Sequence, residues 1–120
     1  MGSFELNGND IAIRYSAQDK TLLVEGKGLP GSEKKTFSDV KASKSEIGTT
    51  MTVVLLESSR NGTRVLLHLL VPNIKQPDQN LSITGAAMVV SDFSNVIGTV
   101  PHVLQAYDVR PLTGTIHAGK

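Results

Sequence analysis

The first residues that could do chemistry are in "EGKGLPGSEKK", residues 25–35, where Gly26, Gly28 and Gly31 form a G-x-G-x-x-G with lysines behind it. In a dinucleotide site such glycines let backbone N–H groups approach a pyrophosphate at a helix N-terminus. That mechanism needs a helix directly after the third glycine and a parallel strand beyond it. Here Pro30 precedes the third glycine, and "SEKKTFSDV" is too short and too weakly periodic for such a helix. The G-x-x-x-x-G-K-[ST] spacing of a phosphate-binding loop is absent as well. The stretch reads as a glycine-rich connection between elements, and no cofactor is expected.

The histidines are His68, His102 and His117. No two of them fall at i, i+2 or i+4, the spacings from which a local metal site starts, so no metal is expected. His68 stands apart because it interrupts the apolar run "LLHLLV". A buried imidazole must find a hydrogen-bond partner, and desolvation lowers its pKa. On a face lining a cavity, His68 could orient a ligand or act as a general acid or base. On a face at a subunit contact or under a loop, it is a satisfied core histidine. It is the one catalytic candidate in the chain.

Other polar residues offer less. Glu57 and Arg64 flank a turn signal and read as an ion pair at a rim. Asp92 and Asp108 fall on separate segments that could be neighbours. Ser58 and Ser59 lack the strained strand-to-helix elbow of a hydrolase serine. Tyr15 and Tyr107 occupy alternating apolar positions, which suits a core ring with its hydroxyl at the rim.

The elements that must position these residues are strands, because the dominant apolar period is two. Phe4, Leu6, Ile11, Ile13 and Tyr15 alternate on either side of "NGND", a hairpin signal. "TLLVEG" is a third strand, residues 26–35 are loop by composition, and residues 36–47 suit an irregular edge strand. Residues 49–71, "TTMTVVLLESSRNGTRVLLHLLV", form the clearest ribbon. A two-residue type I′ turn at Asn61-Gly62 pairs Arg60 with Thr63, Glu57 with Leu66, Leu55 with His68 and Val53 with Leu70. One face then carries Val54, Leu56, Val65, Leu67, Leu69 and Val71. The other carries Met51, Val53, Leu55, Leu66, His68 and Leu70, and this second face is the expected ligand-binding set. An antiparallel ribbon with one wet face alternates cleanly. This one is apolar on both faces, so it is expected to be covered twice.

Pro72 ends the ribbon and residues 75–80 are loop. Residues 81–93 form another long strand with a bend at Gly85, Ala86 and Ala87. Residues 94–102 read as loop, residues 103–112 as a strand, and "GTIHAG" as a short last strand. The expected fold is all-β: a single antiparallel domain over residues 1–120 with seven or eight strands. A small barrel of calycin-like size and a β-sandwich both satisfy the pattern.

Composition narrows the function. Cys is absent, which removes disulfides, thiolate metal sites and cysteine nucleophiles. The 12 Lys+Arg and 11 Asp+Glu are interleaved, so no basic patch suggests nucleic acid. Three Phe, two Tyr and no Trp leave little for stacking on bases or sugars. No apolar run approaches the ~18 residues of a membrane helix, so no membrane partner is expected. "MGSFELNGND" has neither a basic n-region nor an apolar h-region, so the expected compartment is the cytoplasm, a leader removed beforehand being the alternative. The expected function is a non-catalytic binding module. It holds a small apolar ligand inside a barrel, or it uses an apolar sheet face to form a homo-oligomer. A small barrel enzyme using His68 and a purely structural assembly protein are the alternatives.

Overall fold

Alternating apolar residues can be buried together only when their strands share a sheet that bends over its apolar side. The computed structural model describes residues 2–31, 33–58, 63–72, 79–94 and 102–117. Among them the strands are β1 (Phe4–Gly8), β2 (Ile11–Ser16), β3 (Thr21–Gly26), β4 (Lys34–Phe37) and β5 (Ala42–Lys44). They continue with β6 (Gly48–Ser58), β7 (Thr63–Pro72), β8 (Leu81–Ser94) and β9 (His102–Ile116). All nine belong to one antiparallel sheet in the order β4-β3-β2-β1-β9-β8-β7-β6-β5. The sheet curls into a half-barrel, and the described residues contain no helix.

The connection from β4 to β5 makes the curl obligatory. β4 and β5 are the two outermost strands, yet only residues 38–41 separate them. Five residue steps reach roughly 18 Å at most. Nine flat strands spaced about 4.8 Å apart would put the edges roughly 38 Å apart. Only a strongly curled sheet satisfies both lengths. Across the seam so formed, Lys35 Nζ donates to the Leu55 carbonyl at 3.2 Å.

The concave side is filled by the alternating residues. Phe4, Leu6, Ile13, Leu22 and Val24 come from the first meander. Met51, Leu67, Leu69, Met88, Val90 and Leu112 come from the second. Leu29 and Val40, from the connections, join the same core. Phe4 and Tyr15 stack with ring centroids 5.3 Å apart, since β1 pairs Phe4 with Tyr15.

Two expectations need correction. The ribbon does not follow a two-residue-turn register: Ser58 pairs with Thr63 and Glu57 with Arg64. A register shift between Val54 and Leu56 then sets Val54 opposite Leu66, Thr52 opposite His68 and Met51 opposite Leu69. The turn at Asn61-Gly62 lies outside the described residues. Where both faces are apolar, alternation alone cannot select a register, and one extra residue moves every later side chain. The strand count also rises. Residues 36–47, read as one edge strand, help form both β4 and β5 at opposite edges. Residues 103–116 form a single strand, because Pro111 falls beyond the last β1 partner, Thr113, where β9 has a neighbour on one side only. The bend expected at Gly85 is present as a register shift between Ile83 and Ala86, with Gly85 at φ 79.

Candidate functional site

The observed register decides which ribbon residues point outward. On β6 these are Thr50, Thr52 and Val54, and opposite them on β7 stand Leu70, His68 and Leu66. β8 continues the row with Ala87, Val89 and Ser91, and β9 adds Val109 opposite Val89. Val54 is 37% exposed and Val109 65%, while Leu66, Leu70 and Val89 are half-buried. The result is an apolar patch on the convex side of four long strands.

A polar row crosses this patch. Thr52 Oγ1 lies 3.1 Å from His68 Nδ1, and His68 Nε2 lies 3.1 Å from Ser91 Oγ. A hydroxyl can donate or accept, so either imidazole tautomer is served by these two partners. Partial burial holds the His68 pKa below the ordinary histidine value. The His68–Ser91 contact has the reach of a base–nucleophile pair. Ser91 is only 3% exposed, however, and its hydroxyl has almost no access for a substrate.

The expected ligand-binding residues divide between the two sides of the sheet. Met51, Val53 and Leu55 are buried in the concave core, whereas Leu66, His68 and Leu70 face outward. The register that grouped all six on one face is the one corrected above. Glu57 and Arg64 do form an ion pair, at 3.4 Å, as direct cross-strand neighbours.

Asp108 and Arg110, two residues apart and thus on one face of β9, form a two-pronged ion pair. Arg110 donates from Nε to Asp108 Oδ1 at 3.0 Å and from a terminal nitrogen to Oδ2 at 2.8 Å. The same guanidinium reaches across to the Lys27 carbonyl at 3.0 Å. This ties β9 to the connection after β3 and closes one end of the concave side. Asp92 is also on the concave side, opposite Val65, and its Oδ1 is buried without a hydrogen-bond partner. Of the other histidines, His117 sits 3.8 Å from Glu5, and the His102 side chain lies outside the described residues, as does that of Tyr107. No group of three or more His, Asp or Glu among the described residues is placed to hold a metal. No helix among them is long and apolar enough to cross a membrane.

The glycine-rich stretch is a loop packed on the seam. Gly28 and Gly31 have φ 74 and 86, and Gly26 N donates to the Glu33 carbonyl at 2.8 Å, pinching the loop shut. The loop leads into β4, an edge strand antiparallel to β3, and not into a helix. An open groove of about 470 Å³ runs beside it, lined by residues that include Asp10, Glu25, Lys27, Glu33 and Lys34. Its mixed charges offer no focused anion cradle.

The Thr52 and Ser91 partners of His68 were not legible in the sequence, because Thr52 depends on the register of β6 against β7 and Ser91 on that of β7 against β8. The Asp108-x-Arg110 spacing was a usable signal for the ion pair, since alternate residues of a strand share a face. Compared with known proteins, the chain matches no family model, and no curated protein or solved structure is significantly similar to it.

Proposed function

We propose that the protein is a non-catalytic binding module that works through the convex face of β6–β9, and that a second copy of the chain occupies that face. The observation that carries this reading is the convex apolar row in which Val54 and Val109 are exposed and Leu66, Leu70 and Val89 between them are half-buried. Contiguous exposed apolar surface of this kind is a common mark of an interaction site. A second copy suits it because the patch is uncharged apart from the Glu57–Arg64 pair at its tip, and the chain's net charge is only +1. Two such faces can meet about a two-fold axis without opposing like charges. The Thr52–His68–Ser91 row, internally hydrogen-bonded, can be covered at little cost. The packed concave side lends no comparable support to an apolar ligand within the barrel.

Light scattering on a concentration series tests the proposal. The wild-type chain is expected to form dimers, and Val54→Lys/Val109→Lys to remain monomeric at the same concentrations. A wild-type chain that stays monomeric into the millimolar range sinks the reading.

A further inference from the structure

β6 is eleven residues long, but β5 pairs with it only from Thr49 to Met51. Beyond that point, residues 52–58 have no strand neighbour on the seam side among the described residues. A free edge of this kind is a template for another chain, and "TVVLLES" combines high β-propensity with one charge, on Glu57. The glycine-rich loop lies against this edge. Leu29 anchors it in the core, Lys27 N donates to the Asp10 carbonyl at 3.1 Å, and the Gly26–Glu33 bond closes its base. At its far point, Gly31 comes so near the Leu55 carbonyl that an added Cβ would sit 2.6 Å from the oxygen. Lys35 Nζ donates to the same carbonyl.

We infer that residues 27–31 are a strap that keeps the β6 edge from pairing, and that lifting the strap lets a second copy add β6 against β6. Antiparallel pairing of this edge with itself is two-fold symmetric and brings no unpaired charges together at its centre. The proposal does not depend on the convex face. Its test therefore uses a chain that already carries Val109→Lys, a substitution on β9 away from the β6 edge, so that association through that face is weakened at least tenfold.

Gly31→Ala and Gly28→Ala form a matched pair. Both residues have positive φ, so both substitutions strain the backbone, but a Cβ on Gly28 meets nothing within 4 Å. Amide hydrogen exchange and light scattering are read together. Gly31→Ala is expected to speed exchange of the residue 52–58 amides at least tenfold in dilute, monomeric samples, and at higher concentration to produce a dimer in which those amides are protected again. Gly28→Ala is expected to keep the parent's protection and size. Equal behaviour of the two variants overturns the strap, and faster exchange in a chain that remains monomeric overturns the pairing. Should Gly31→Ala fail to fold, Lys35→Met removes the side-chain bond across the seam, together with the ammonium over the Phe37 ring, and leaves the strap's backbone unaltered. A smaller rise in exchange at the same amides is then expected, and unchanged protection refutes the inference.

Discussion

Across β1–β4 the outward positions are mostly polar, with Glu5, Arg14, Glu25 and Lys34 around Ala12 and Leu23, whereas across β6–β9 Val54, Leu66, Leu70, Val89 and Val109 flank the Thr52–His68–Ser91 row. The concave sides of the two regions are alike, closed by aliphatic side chains of one core. Strand length differs in the same direction as the outer chemistry: four to six residues in the first region, ten to fifteen in the second. Short strands with one wet face need only tight turns to fix them, as where Asp10 takes φ 58 to turn β1 into β2. The long strands are amphipathic only in part, and register shifts interrupt β6–β7 and β8–β9. One sheet thus contains a region built only to be buried on one side and a region that presents a second apolar surface.

That contrast can be broken most severely from the inside. Leu67→Ala, at a position sealed from solvent, is expected to cost about 2–5 kcal/mol of stability in denaturant unfolding. Val109→Ala, on the same region's outer side, is expected to change stability by less than about 0.5 kcal/mol. A similar loss at both positions would mean that the convex face is as closely packed as the core. Gly114→Ala probes the junction of the two regions, because an added Cβ runs into the Glu5 carbonyl of β1. A loss of about 1–3 kcal/mol is expected, read as a lower denaturant midpoint.

The outer faces are distinguished next by association. Val109→Lys is expected to weaken self-association at least tenfold by sedimentation, which corresponds to about 1.4 kcal/mol or more. Arg14→Ala, on the charged region, is expected to leave it unchanged. Acid titration sharpens the comparison further. Burial lowers the folded-state pKa of His68, so the fold favours its neutral ring. The resulting stability is fully present above the unfolded value of about 6.5 and is lost as pH falls through that value and then through the folded one. His68→Gln is expected to flatten this part of the stability profile, and an unchanged acid limb would refute the assignment. A small effect is also expected at the exposed Glu57–Arg64 pair, where Glu57→Gln costs under about 1 kcal/mol and less in high salt.

The same contrast explains what the sequence made readable. β3 was legible to the residue, and the β1–β2 hairpin nearly so, because their buried positions alternate strictly and the strands end at turn residues. The ribbon of β6 and β7 was legible as an element but not as a register. Its apolar residues fit either face, and the Leu55 irregularity leaves no mark in composition. His68 could be singled out by type alone, as a polar residue in an apolar run. Its partners required Thr52 and Ser91 to be carried to it by two separate strand pairings, which no local spacing encodes.

The pairing of β1 with β9 has a kinetic consequence. Phe4 meets Ile116 in the middle of the sheet, so the two meanders can be joined only after almost the whole chain has been collected. Until then each meander exposes a strand edge, and the loop to be closed is nearly as long as the protein. His117 N already donates to the Ser3 carbonyl at 2.9 Å, so a short peptide could link those residues. A chain linked there and opened within residues 38–41 would run β5-β6-β7-β8-β9-β1-β2-β3-β4, a plain meander in which every strand pairs with its neighbour in sequence. Such a rearranged chain should fold faster than the original. It would also give up the tether that draws the two outer strands together, so fast folding and a closed seam are properties this topology can trade against each other.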